Sequence, residues 1–170
     1  MTGNDRYREL DAVPRDAHFM DKLACQLGTG TSIFGKFNSS DVSVLSGYLE
    51  AYRAQTGSAV FVEGHRAGYL CIVLDGGLDV VKETSLGVSR KITDVCPGTT
   101  IGEMSIIDGQ PHSATAVAAK PTLLAVLTRD SLIRLTEEQP GLGAKMLANI
   151  AELLSRRLRT TSDMLINYLS

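Results

Sequence analysis

The feature that most narrows the folds open to this chain is a succession of short strand-like segments between residues 49 and 127. Residues 49–55, 59–63, 69–74, 78–83, 90–95, 113–119 and 123–127 are each rich in β-branched, aromatic or aliphatic side chains. Between them stand Thr56-Gly57, Gly64, Asp75-Gly76-Gly77, Pro97-Gly98 and Lys120-Pro121, which set turn geometry. Short strands at regular spacing with glycine turns predict a sandwich or barrel.

Helical periods flank this β body. Residues 1–15 are polar, contain Pro14 and hold no period, so they read as a mobile arm. Asp16 caps a short helix with Phe19, Leu23 and Leu27 on one face, ended by Gly28. Ser39 or Ser40 caps a second, running from Asp41 to about Leu49. Thr128 or Asp130 caps a third through about Glu138, and Pro140 opens a last one reaching nearly to Ser170. That helix carries two apolar stripes: Leu147, Ala151, Leu154, Leu158, Thr161, Leu165 and Tyr168, and beside it Met146, Ile150, Leu153, Arg157 and Met164. One stripe can cover the β body and the other a second copy of itself, as in a parallel two-stranded coil.

Residues 98–117 stand apart, because glycines, a carboxylate, hydroxyls and a proline crowd between two strand-like runs. Gly98 and Gly102 allow main-chain N–H groups to approach a ligand closely. Residues 103–107 make one helical turn whose unpaired amides seat an anion, and Pro111 ends it. A carboxylate beside such a seat suits a nucleotide phosphate and its ribose.

The pattern Gly102-Glu103-Met104-Ser105-Ile106-Ile107 followed by Pro111-His112-Ser113-Ala114-Thr115 closely resembles the phosphate-binding cassette of cyclic-nucleotide-binding domains. Those domains form the sensor half of the catabolite activator protein family and of cyclic-nucleotide-regulated kinases and channels. Gly64 to Gly77 resembles the family's β-roll hairpin, with glycines that serve turn geometry. Arg156-Arg157-Leu158-Arg159-Thr160-Thr161-Ser162 is similar to the stretch of the activator's central helix whose Thr and Ser reach the adenine, one from each subunit. The resemblance covers about residues 33–170. It implies a mainly β fold with flanking helices: a double-stranded β-helix, or jelly-roll-like β-roll, followed by a long C-terminal dimerisation helix. The chain then divides into an N-terminal arm and short helix, 1–32, and a cyclic-nucleotide-binding domain, 33–170, with the β-roll at about 49–127 and C-terminal helices at about 129–169.

The implied ligand-binding set is Gly102, Glu103, Met104, Ser105, His112, Ser113, Ala114, Thr161 and Ser162. Glu103 accepts from the ribose 2′-hydroxyl. The amides of Gly102, Glu103 and Ser113, with the Ser113 hydroxyl, hold the phosphate. Thr161 and Ser162 meet the purine. His112 is the departure, because the family usually places an arginine there to pair with the cyclic phosphate. An unperturbed imidazole titrates near pH ~6.5, so affinity is expected to rise as pH falls from about 8 to about 6.

Other classes fit less well. Gly30-Thr31-Ser32-Ile33-Phe34-Gly35-Lys36 imitates a triphosphate-binding loop, but Phe37 stands where a magnesium-binding Ser or Thr is required. His18, His65 and His112 lie far apart, without the His-x-His pair of a cupin-like metal site. No nucleophile has an adjacent base, so the chain is expected not to be an enzyme and to need no cofactor. Cys25, Cys71 and Cys96 form no Cys-x-x-Cys pair and read as reduced and structural; the family's oxygen-sensing members carry clustered N-terminal cysteines instead. A formal net charge of −2 argues against coating nucleic acid or anionic membrane, and the Arg156, Arg157 and Arg159 group reads as a solvated face. No apolar run approaches the ~18 residues of a membrane span and no signal layout opens the chain, which predicts a cytoplasmic location. With no helix-turn-helix in the sequence, direct nucleic-acid contact is not expected. The reading is a stand-alone, homodimeric regulatory sensor that binds cyclic AMP or cyclic GMP and signals through an unknown effector protein. The alternative is a degenerate domain of the same fold, acting as a ligand-free dimeric protein-interaction module.

Overall fold

In the computed structural model, which describes residues 9–28, 37–66, 68–84 and 87–169, two antiparallel sheets face each other and helices cover one of them. The five-stranded sheet comprises β1 (Leu10–Ala12), β2 (Glu50–Ala54), β9 (Thr122–Thr128), β4 (Tyr69–Asp75) and β7 (Thr100–Ile101), in that spatial order. The four-stranded sheet comprises β3 (Ala59–Phe61), β8 (Thr115–Ala118), β5 (Leu78–Glu83) and β6 (Ser89–Val95). The helices are α1 (Ala17–Gly28), α2 (Ser39–Ser46), α3 (Glu103–Asp108), α4 (Arg129–Glu138) and α5 (Pro140–Leu169). This is a β-roll followed by a long C-terminal helix.

Strands β4 and β9 read as unbroken apolar runs because both of their faces are buried. Tyr69, Cys71, Val73, Leu124 and Val126 point between the sheets, against Phe61, Leu78, Val80 and Ala116. Leu70, Ile72, Leu74, Leu123, Ala125 and Leu127 point the other way, against Phe19, Leu23, Leu45, Leu135, Met146 and Ile150 of the helices. The period-two geometry of a strand makes this division. The turn from β4 to β5 is tight: Gly76 has φ 88°, and a Cβ there would stand 2.5 Å from Pro121 O. The hairpin glycine therefore has the structural role the sequence predicts.

Several expectations need correction. Residues 9–15 are no arm: β1 pairs with β2, Leu10 is buried, and Arg15 Nη1 donates to Leu49 O at 3.2 Å. The α2 cap is Asn38, not Ser39 or Ser40; its side chain accepts from the Asp41 amide while Asp41 accepts from the Asn38 amide. That reciprocal pair outcompetes the two serines. Of the cysteines only Cys71 is buried; Cys25 and Cys96 are exposed. The triphosphate-loop imitation, residues 30–36, lies outside the described residues, and so does the side chain of Tyr168 at the end of the first apolar stripe.

Asp16 does cap α1, accepting from the Phe19 amide at 3.0 Å, and Thr128 caps α4 through the Ser131 amide. On α5 the two stripes separate as their spacing implies over the first turns. Met146, Ile150 and Leu153 are buried against the body, while Leu147 is 38% and Leu158 69% exposed. Past Arg157 both stripes leave the body, and Met164, Leu165 and Ile166 are all exposed.

Candidate functional site

The site begins where β7 turns into α3. At Gly102 the backbone takes φ 95°, and a Cβ there would stand 2.5 Å from Tyr69 O and 2.9 Å from Phe61 Cζ. Glycine alone lets the chain turn this close to β4. The first bond of α3 runs from the Ile106 amide to Gly102 O, so the amides of Glu103, Met104 and Ser105 precede its ladder. Met104 is exposed, whereas Ser105 is buried and its hydroxyl donates to Gln110 O at 2.8 Å, bracing the turn. What Ser105 can offer a ligand is its amide.

Glu103 is 1% exposed, which for a carboxylate demands a partner. Its Oε2 accepts from Arg157 Nη1 at 2.7 Å, and its Oε1 accepts from the Thr100 hydroxyl. The other guanidinium nitrogen, Arg157 Nη2, donates to Thr100 O at 2.7 Å. One arginine of α5 thus clasps both sides of the β7–α3 turn. The reading of Arg156, Arg157 and Arg159 as a solvated face therefore fails at Arg157, which is drawn inward by the buried Glu103; the clue the sequence holds is a charge in an apolar stripe, which calls for an acid across the interface. A carboxylate has ~four acceptor positions, so Glu103 keeps room for a further donor.

His112 departs from expectation. Its ring is 7% exposed and lies against Phe61, centroids 4.0 Å apart, with the edge of Tyr69 at 5.7 Å. Phe61 therefore touches both the Gly102 turn and His112, joining the two ends of the cassette. Burial first, and the nearby His65 second, push the His112 pKa down to about 4. The ring is neutral throughout pH 8 to 6, so the expected rise in affinity over that range has no proton to drive it in this conformation. Among the described residues, His112 Nε2 is buried without a hydrogen-bond partner.

Ser113 is exposed, and its carbonyl accepts from Lys82 Nζ at 2.8 Å. Ala114 packs partly against the core between the sheets. Thr161 and Ser162 are exposed on α5, and their hydroxyls donate to Arg157 O at 2.8 Å and Leu158 O at 2.9 Å. Those bonds stay within the helix and do not reach the cassette. Thr161 stands one turn, ~6 Å along the axis, beyond the arginine that does. Among the described residues no group of three or more His, Cys, Asp or Glu side chains is placed to hold a metal ion, and no helix is long and apolar enough to cross a membrane.

Residues 44–139 match the family model described as the cyclic nucleotide-binding domain. A solved cyclic nucleotide-binding domain from Methylobacillus flagellatus is 32% identical, with a TM-score of 0.84 over 96% of this chain and 92% of that one. The cyclic AMP receptor protein of Thermus thermophilus is 29% identical over 83% of this chain and 63% of its own length. A CRP-like cAMP-activated global transcriptional regulator of Mycobacterium tuberculosis is 26% identical over 86% of this chain and 62% of its own. The chain thus spans less than two thirds of the length of these two curated relatives.

Proposed function

Since this chain belongs to the cyclic nucleotide-binding domain family, we propose that it is a cytoplasmic, non-enzymatic regulatory sensor that binds cyclic AMP or cyclic GMP and passes the signal to a partner protein. The observation that carries this reading is Glu103, a buried carboxylate held at the cassette by an arginine of α5. A carboxylate is costly to bury, and beyond its bonds to Arg157 and Thr100 this one keeps acceptor positions for a ribose 2′-hydroxyl. The amides of Gly102, Glu103 and Ser113, with the Ser113 hydroxyl, meet the phosphate, and Thr161 and Ser162 meet the base. Because Arg157 shares the carboxylate, a ribose arriving at Glu103 redistributes the bonds that tie α5 down. The helix that responds is the one whose exposed Leu147, Leu158 and Leu165 suit a second copy of the chain.

A second reading, a ligand-free dimeric interaction module, draws on His112, which is neutral and turned into an aromatic nest where the family places a cation. Calorimetric titration with cyclic AMP, cyclic GMP and a cyclic dinucleotide separates the two. Saturable heat with a mononucleotide supports the sensor, and flat heat with all three overturns it in favour of the module.

A further inference from the structure

The cassette's own position for a cation holds an uncharged, buried ring, yet a different cation stands at its mouth. On β5, Leu78 and Val80 point into the core between the sheets, so Lys82, two residues on, rises from the same face. Val81 pairs with Thr115 across β5 and β8. That register carries Lys82 past the end of the packed core to the start of β8, where its Nζ lies 2.8 Å from Ser113 O. Lys82 is half-exposed, and it also meets Glu63, with Nζ to Oε1 at 3.4 Å. That pair is long, open to water and weakly held. An ammonium on a flexible stem is therefore parked on the residue beside which a phosphate is expected, and it has slack to turn toward an anion.

We propose that Lys82 supplies the positive charge that meets the cyclic phosphate in this chain, a role that the His112 ring, buried against Phe61, does not take; this rests on the sensor reading above. Lys82 swings from the Ser113 carbonyl to a phosphate oxygen while the amide and hydroxyl of Ser113 hold the others. Glu63 works against it, by sharing the ammonium and by repelling the anion.

The test is titration of the full chain with cyclic AMP and cyclic GMP at low salt, using Lys82→Met, Lys82→Arg and Glu63→Gln, each first checked by thermal melting. Loss of one charge-assisted contact predicts at least ~tenfold weaker binding for Lys82→Met, and near-native affinity for Lys82→Arg. Glu63→Gln should tighten binding by about threefold, a gain that misfolding cannot produce. Affinity of the unaltered chain should fall with added salt more steeply than that of Lys82→Met. If the unaltered chain binds and Lys82→Met binds equally well, the assignment of Lys82 fails while the sensor reading stands. If the folded, unaltered chain binds neither nucleotide, both fall.

Discussion

Replacing Arg157 by Met removes both bonds of the clasp and leaves an apolar stem of similar length on α5. Glu103, 1% exposed, then keeps Thr100 as its side-chain partner in the cassette. Stripping one member from a fully buried ion pair costs ~3–5 kcal/mol. Here the arginine side chain is 47% exposed, so water screens its half of the pair and the expected loss falls to ~2–3 kcal/mol. For a chain of this size that is a drop of ~4–12 °C in melting temperature. The informative measurement is a double-mutant cycle, with Arg157→Met, Glu103→Gln and their combination unfolded by heat and by urea without ligand. If the guanidinium and carboxylate are coupled as the 2.7 Å contact indicates, the combined variant should be more stable than the sum of the single losses by ~1–2 kcal/mol. Additivity within ~0.5 kcal/mol would refute the clasp.

Three further outcomes are expected. Because His112 is held neutral with its pKa pushed down to about 4, the unfolded chain takes up a proton near pH ~6.5 that the folded chain refuses until lower pH, so stability falls as pH drops between the two values, by ~3 kcal/mol for this group. His112→Phe should flatten that part of the stability curve relative to the parent, and identical acid slopes would count against the buried neutral ring. Glu103→Gln should weaken cyclic-nucleotide binding by ~tenfold or more, since an amide is a poorer acceptor than a carboxylate, and equal affinity for a 2′-deoxy ligand and its parent would remove Glu103 from the ribose. Light scattering should find a homodimer at tens of micromolar, an order of concentration suited to such contacts, and monomers after Leu158→Glu with Leu165→Glu, both exposed on α5, whereas Leu154 packs partly on the chain's own core; a monomeric parent would sink the dimer.

The β-roll was legible because its strands are separated by residues that leave the backbone few choices, such as Asp75-Gly76-Gly77. β1 was not, since Leu10–Ala12 is too short to show a period and owes its strand geometry to pairing with β2. β7 is shorter still and exists through its ladder to β4. At the site, Gly102 and Glu103 could be singled out from local pattern, because a left-handed turn and an isolated carboxylate announce themselves within a few residues. The clasp could not, for Arg157 is 54 positions from Glu103. Nor could the state of His112: burial against Phe61 of β3 and Tyr69 of β4 comes first in holding its charge off, with His65 second, and a sequence pattern carries no dielectric.

Strands β4 and β9 are shared by both apolar clusters, one on each face. The helical layer and the roll therefore have no separate existence as folding units, for neither can loosen without exposing the back of the wall it shares with the other. Amide exchange should show it directly. The protons of Leu70 to Val73 and Leu124 to Leu127 should be released only through global unfolding, with one common free energy, while those of α5 beyond Arg157 exchange through local fraying. The turns of α5 that exchange first are thus the ones whose loosening draws least on the stability of the rest.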